Sequence, residues 1–237
     1  MLRLLDWMRA AKYGLGLGVV LGGLCVSSPS AAKSPLYGEA YRRGFNAEGA
    51  FGLNLCLGGG VGVGQCRSES LSAFQPGIAV HVLGGYRLSP YLVLGAAFDF
   101  RTLNSGQDQT GEEPFSEINR LGFFASARAI LPLSRSDLGV ELGLGWSQQS
   151  FGLRSQLPES FSSSGFAVRP AVVFDYWVLA DLALGVEVAG MFNLHSWFCA
   201  DRVCATDMST IPDSMRGVFT HDLSMSLRMS VVFSLTP

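Results

Sequence analysis

The sequence predicts an all-β protein: a transmembrane, antiparallel, up-and-down β-barrel of eight strands. Two observations carry that expectation. Large apolar side chains recur at every second position through eight segments between residues 45 and 233. The alternate positions hold glycine, alanine, serine and nearly all the charges of those segments. Period two means strand, because successive side chains of a pleated chain point to opposite faces. A soluble barrel keeps its bulk inside and its charges outside. Here the bulk shares one face, and the charges share the other with residues too small to fill a core. That is the pattern of a barrel whose solvent is lipid.

The plainest copy is the fifth segment, 138–147. Leu138, Val140, Leu142, Leu144 and Trp146 share one parity; Gly139, Glu141, Gly143, Gly145 and Ser147 share the other. The first strand, 45–56, turns Phe45, Phe51, Leu53 and Leu55 outward and Asn46, Glu48 and Asn54 inward. The second, 74–86, puts Ile78, Val80 and Val82 outside and His81 inside. In the third, 91–103, Leu92, Leu94, Phe98 and Phe100 face out, Asp99 and Arg101 in. The fourth, 117–131, sends Leu121, Phe123 and Leu131 out and Arg120, Ser126 and Arg128 in. The sixth, 165–176, has Phe166, Val168, Val172 and Phe174 outside, Arg169 and Asp175 inside. The seventh, 181–192, exposes Leu182, Leu184, Val186 and Val188 and turns Glu187 in. In the eighth, 217–233, Leu223, Met225, Leu227, Met229 and Val231 face out, Ser224, Ser226 and Arg228 in.

The connections alternate in length. Segments 87–90, 132–137 and 177–180 are tight, whereas 57–72, 104–116, 148–164 and 193–216 are long and polar. Outer-membrane barrels have short periplasmic turns and longer outside loops, so both termini are expected on the periplasmic side. Aromatic residues gather at the strand ends. Phe45, Tyr86, Tyr91, Tyr176, Trp177 and Phe233 form one set; Phe74, Phe100, Trp146, Phe166, Phe192 and Trp197 form the other. Amphipathic rings at those heights predict two interfacial girdles.

Composition agrees. Of 237 residues only 15% are charged, and the mean hydropathy is positive at +0.29. Both suit a broad lipid-facing surface. The net charge of −2 offers no basic patch for nucleic acid. No apolar run is long enough for a transmembrane helix of the mature chain. Arg3, Arg9 and Lys12 precede the apolar run 13–26, and Ser30-Ala31-Ala32 follows; that order predicts a secretory signal peptide over 1–32. Residues 33–44 are then a periplasmic N-terminal segment and 45–237 the barrel. Leu24 before Cys25 does not fit a lipidation site. The remaining cysteines, Cys56, Cys66, Cys199 and Cys204, lie in loops of an exported chain and read as disulfides. Four cysteines allow three pairings, of which the local ones are favoured. Their spacing argues against a metal site, and no cofactor is expected.

From the first strand to the eighth, the chain resembles the small eight-stranded outer-membrane barrels of the OmpA and OmpX kind. The resemblance implies a Gram-negative-type outer membrane as location. Two features depart from that group. Phe233 is followed by Ser-Leu-Thr-Pro rather than ending the chain on an aromatic, and the peptidoglycan-binding domain of the OmpA type has no counterpart.

Three functions compete. The inward parity collects Glu48, Asp99, Glu141, Asp175 and Glu187 against Arg101, Arg120, Arg128, Arg169 and Arg228, with His81 among them. Eight strands leave a lumen just wide enough for side chains, and buried charges need partners. A lumen closed by inward charge pairs follows, with a structural or surface-interaction role for the outside loops. Membrane lipids are the expected partners, together with an extracellular partner at loops 57–72 and 193–216, the second of which carries Trp197 and Phe198 as exposed aromatics facing the outer headgroups. The alternative is a narrow, porin-like channel running through those charges, in room left by the inward glycines and alanines. A weaker alternative is a lipid-modifying enzyme using His195 and Ser196, with Asp201 and Asp207 in the same loop. His221-Asp222 is a second such pair. Neither spacing demands a catalytic geometry, so no catalytic residue is expected. The glycine-rich stretch 58–64 opens no helix and lacks the lysine of a phosphate-binding loop.

Overall fold

The computed structural model describes residues 44–57, 76–104, 118–152, 160–201, 203–206 and 221–234. The signal segment, Phe74, Cys66, Asp207 and most of the loop 57–72 lie outside them. Among the described residues there are nine strands: β1 (Gly44–Leu57), β2 (Gly77–Ser89), β3 (Leu92–Leu103), β4 (Ile118–Leu133), β5 (Ser136–Gly152), β6 (Ser160–Trp177), β7 (Leu182–Ala200), β8 (Val203–Ala205) and β9 (His221–Ser234). Eight of them close a ring. Each strand from β1 to β7 pairs antiparallel with the next, β9 pairs with both β7 and β1, and β8 is a short flap on β7. Closure leaves the ring itself without an edge, and every strand can pair its backbone on both sides, as a hydrocarbon solvent requires.

The alternation read from the sequence becomes two surfaces. Phe51, Leu53, Val140, Leu184 and Leu227 are exposed outside, whereas Glu48, Asp99, Glu141, Arg169 and Glu187 are buried within. Phe45 meets Tyr86 edge-on at 5.3 Å between ring centroids, near the end that carries the tight turns. The turn after β4 is two residues long, with Ser134 in the left-handed region at φ 46°.

Four expectations need correction. Trp177 does not join the interfacial girdle. It continues the inward parity of Asp175 and is buried with Ala183 and Val232. Phe198 is likewise buried, although Trp197 beside it is exposed. The interior is not wholly polar: Leu83, Val93, Ala97, Phe124, Ile130, Ala167 and Met191 form an apolar cluster inside the ring. The fourth concerns loop boundaries. Strand β5 runs to Gly152, β6 starts at Ser160 and β7 continues to Ala200, so much of 148–164 and 193–216 is sheet. Above the lipid a strand needs no apolar face, and the hydropathy period fades while the pairing continues.

Among the described residues one wall therefore rises above the rest. At its base the β6–β7 register runs Trp177↔Ala183, and near the top it shifts by one residue between Ser164 and Gly165. This bulge leaves Ser196 without a partner on β6 and reverses the parity above it. His195 and Phe198 consequently both face inward. Glycine is required opposite the bulge: a Cβ on Gly165 would sit 2.8 Å from the Cα of His195.

Candidate functional site

The lumen holds the chemistry. Ten of the eleven charged or imidazole side chains predicted to point inward meet in one buried network, and every strand of the ring supplies at least one. Arg169 of β6 lies at its centre. Its Nε donates to Asp99 Oδ2 at 2.9 Å, its Nη1 to Glu141 Oε1 at 2.9 Å, and its Nη2 to Glu187. Arg128 grips Glu48 with two parallel bonds of 2.6 Å and also donates to Glu141 from Nε at 2.9 Å. Arg101 holds both oxygens of Asp99, at 2.6 and 3.1 Å. Arg228 reaches Glu48 at 2.6 Å, Asp175 at 2.8 Å and Glu187 at 3.3 Å. His81 lies between two carboxylates, 3.5 Å from Asp99 and 4.0 Å from Glu141.

Arginine suits this work. Its planar fork of five donors can satisfy two or three carboxylates at once, which a lysine cannot do. The eleventh residue, Arg120, stands apart from the network and pairs with Asp222 of β9. Asp222 thus acts as a lumen charge rather than as the partner of a catalytic His221, whose side chain lies outside the described residues.

Two further lumen charges lie at the turn end. Arg87 Nη1 donates to Asp137 Oδ2 at 2.9 Å and its Nη2 to the carbonyl of Pro90 at 2.9 Å. Trp177 Nε1 donates to the same Asp137 oxygen at 3.1 Å, and the Arg87 guanidinium lies 6.0 Å from the centre of its ring. These contacts tie together three tight turns. Parity could have found all three missed charges. Arg87 is in phase with His81, Asp137 with Glu141, and Asp222 with Arg228. Assigning them to turns and loop ends hid the phase.

The inward glycines are not empty space. A Cβ on Gly139 would fall 2.9 Å from Cδ of Arg128. One on Gly143 would meet Arg169 Cβ at 3.3 Å and Phe124 Cβ at 3.2 Å, and one on Gly122 would strike the Phe124 ring at 2.5 Å. Gly139 and Gly143 of β5 make room for Arg128 and Phe124 of β4 and Arg169 of β6, and Gly122 makes room for the Phe124 ring two residues along its own strand.

At the opposite end from the tight turns, His195 bonds to neither Ser196 nor Asp201. Its Nε2 lies 2.7 Å from Ser147 Oγ of β5 and its Nδ1 2.6 Å from Ser163 Oγ of β6. The same Ser147 hydroxyl donates to Asn193 Oδ1 at 2.8 Å. Asp201 instead accepts from the backbone and hydroxyl of Ser160, both at 2.9 Å. Cys199 and Cys204 are disulfide-bonded across the β7–β8 pair. The Cys56–Cys66 pairing lies outside the described residues. No group of side chains fit to hold a metal occurs among the described residues.

No protein-family model matches the sequence, and no curated protein matches it. Solved structures do match. The Neisserial surface protein NspA superposes with a TM-score of 0.53 at 11% identity, over 80% of this chain and 97% of that one. Ail, the attachment invasion locus protein of Yersinia pestis, matches at 0.45 and 8%, over 80% and 97%. The outer membrane protein OprG of Pseudomonas aeruginosa matches at 0.43 and 9%, over 82% and 99%. The chain has the fold of the small eight-stranded outer-membrane β-barrels.

Proposed function

We propose that this protein is an outer-membrane barrel whose lumen is closed by its own charge network and whose long-loop end meets partners outside the cell. The observation that carries this reading is the saturation of the lumen arginines. Arg101, Arg128, Arg169 and Arg228 each have a carboxylate within 3 Å, and the volume beside Gly122, Gly139 and Gly143 is filled by Arg128, Arg169 and Phe124. A through-path for ions would have to break several buried pairs at once, each strongly opposed in a low-dielectric interior. The Arg87–Asp137–Trp177 cluster adds a second barrier at the turn end.

In this reading the tight turns and both termini of the chain face the periplasm, and the tall wall of β5, β6 and β7 stands outside. Leu194, Trp197 and Val203 are exposed on that wall and its flap. They offer apolar and aromatic contacts to lipid headgroups or to an external partner. The test is planar-bilayer conductance of the protein refolded in detergent, its folding verified by heat-shifted gel mobility. Silence from folded protein is the expected result. Discrete single-channel steps would overturn closure and put the narrow-channel function in its place.

A further inference from the structure

Above the lipid-facing belt, the outer face of the tall wall changes chemistry within one step along its strands. The uppermost row made wholly of apolar side chains runs Leu194↔Phe166 and Phe166↔Trp146 across β7, β6 and β5. Two residues higher on β5 and β6, about 7 Å along each strand, the row is Trp197↔Ser164 and Ser164↔Gln148. The next is Cys199↔Ser162 and Ser162↔Ser150, with Asn119 of β4 beside Ser150. We infer that Trp197, with Gln148, Ser150, Ser162 and Ser164, forms a docking surface for the neutral sugar headgroup of an outer-leaflet glycolipid. This names a partner for the tall wall, and it rests on the reading that the wall stands outside.

Trp197 is on this face only because of the bulge. Continued from Leu194↔Phe166 and His195↔Gly165, an unbroken register would place Ser196 opposite Ser164 and Trp197 opposite Ser163, whose side chain is buried. The extra residue turns the indole outward instead, where it is 47% exposed, and turns Phe198 in. A re-aimed side chain is what bulges supply next to functional sites. The Cys199–Cys204 bridge then ties the strand just above Trp197 to β8.

A sugar ring presents an apolar C–H face and a rim of hydroxyls. An indole suits the first, being flat and apolar with a polar N–H at its edge. Hydroxyls and amides, which both donate and accept, suit the second. Trp197 and Gln148 stand two strands apart, about 10 Å, with only the small Ser164 between them in the row. That recess has room for one hexose against the sheet. The side chains of Gln148, Ser150, Ser162 and Ser164 bond to no other side chain among the described residues. No charged residue shares these two rows between β4 and β7. A face that merely met water would carry the lysines and carboxylates that are most often exposed, and an anionic headgroup would call for arginine or lysine. The height selects the source. The side of the wall one step above the acyl chains faces the headgroup layer, whereas a free glycan would meet the tip.

The test uses full-length protein folded in detergent, checked by heat-shifted gel mobility, and native mass spectrometry. The probes are three lipids with the same acyl chains: a dihexosyl diacylglycerol, the bare diacylglycerol and phosphatidylglycerol. Retention of the dihexosyl lipid about tenfold above the other two is expected, the scale of one well-placed aromatic contact. Trp197→Ala should abolish that preference and Trp197→Phe should keep most of it. Ser164→Glu, which puts a charge in the recess and leaves the indole in place, should abolish it as well. Equal retention of the three lipids, a preference for phosphatidylglycerol, or a preference unchanged in Trp197→Ala overturns the assignment. So does equally tight binding of the free disaccharide, which would make this a site for soluble glycans. If a variant fails the gel-mobility test, a photoreactive group on the terminal hexose decides in the wild-type protein: adducts within 160–165 or 194–199 support the site, and adducts elsewhere overturn it. The assay reads neither conductance nor sidedness, so its failure is distinct from a failure of the closed lumen or of the outward orientation.

Discussion

Replacing Arg169 by methionine is the sharpest test of the closed lumen. The substitution keeps the length of the stem and removes the guanidinium from a site with no exposed side-chain surface. Three carboxylates then lose a partner, but none is left alone. Asp99 keeps Arg101 at 2.6 Å, Glu141 keeps Arg128 at 2.9 Å, and Glu187 keeps Arg228 at 3.3 Å. The expected loss therefore corresponds to one broken buried pair, about 3–5 kcal/mol, and not to three. The lumen also gains one uncompensated negative charge, so adding Glu187→Gln to Arg169→Met should restore a substantial part of the loss. The measurement is equilibrium urea unfolding in phospholipid vesicles, followed by tryptophan emission and checked by gel mobility. A loss below about 1 kcal/mol, the range of a solvated surface pair, would show that water already screens these charges. The argument for a sealed lumen would then fail with it.

Three further outcomes follow from other parts of the barrel. Leu142→Arg places a cation on the outward face at the height of the charge network; in lipid it should cost about 2–4 kcal/mol, and an unchanged unfolding midpoint would mean that this face does not meet lipid. The β6–β7 ladder is interrupted between Val168↔Phe192 and Ala171↔Ala189, where Pro170 can offer no N–H. Pro170→Ala should supply that donor to β7 and stabilise the barrel by about 0.5–1.5 kcal/mol; destabilisation in the same urea assay would refute this account. The Cys199–Cys204 bridge closes a flap beyond the ring. Cys199→Ser should speed proteolytic nicking near residue 201 while leaving the global unfolding midpoint unchanged, and a large drop in that midpoint would make the flap part of the barrel's stability.

The barrel was legible in the sequence because lipid writes a strong signal. A strand with hydrocarbon on one side and a narrow lumen on the other must alternate, and a slip of one residue would turn every side chain to the wrong face. Leu138 to Ser147 shows this without interruption. The signal ends where the lipid ends rather than where the strand ends. Gln148, Gln149, Ser162, Ser163 and Ser164 read as loop by composition, yet all are paired strand residues. The Ser147–His195–Ser163 cluster was hidden for the same reason. It joins residues far apart in sequence through a register and a bulge, and neither leaves a local trace. Trp177 was misplaced by a rule about rings at interfaces, although its parity with Asp175 already pointed it inward.

The composition of the lumen also has a physical reason beyond the closure proposed above. An apolar filling of equal volume would be as stable or more so, since buried ion pairs rarely exceed a well-packed hydrophobic substitute. It would, however, make the two faces of every strand chemically alike. A strand paired one residue out of register would then present leucine where leucine was already tolerated, and little would oppose the error. With the charges in place, the same slip carries Glu48, Asp99, Arg128, Glu141, Arg169, Glu187 or Arg228 into hydrocarbon. For arginine at the bilayer midplane the cost is about 2–4 kcal/mol. The slip also strips partners from the carboxylates left behind. Because each of the eight ring strands contributes to the network, each is checked against its neighbours as the ring closes. Arg169 alone reads β3, β5 and β7 from its position on β6. On the proposed reading of a closed lumen, the charge network is as much a register lock as a plug, and one set of arginines serves both purposes.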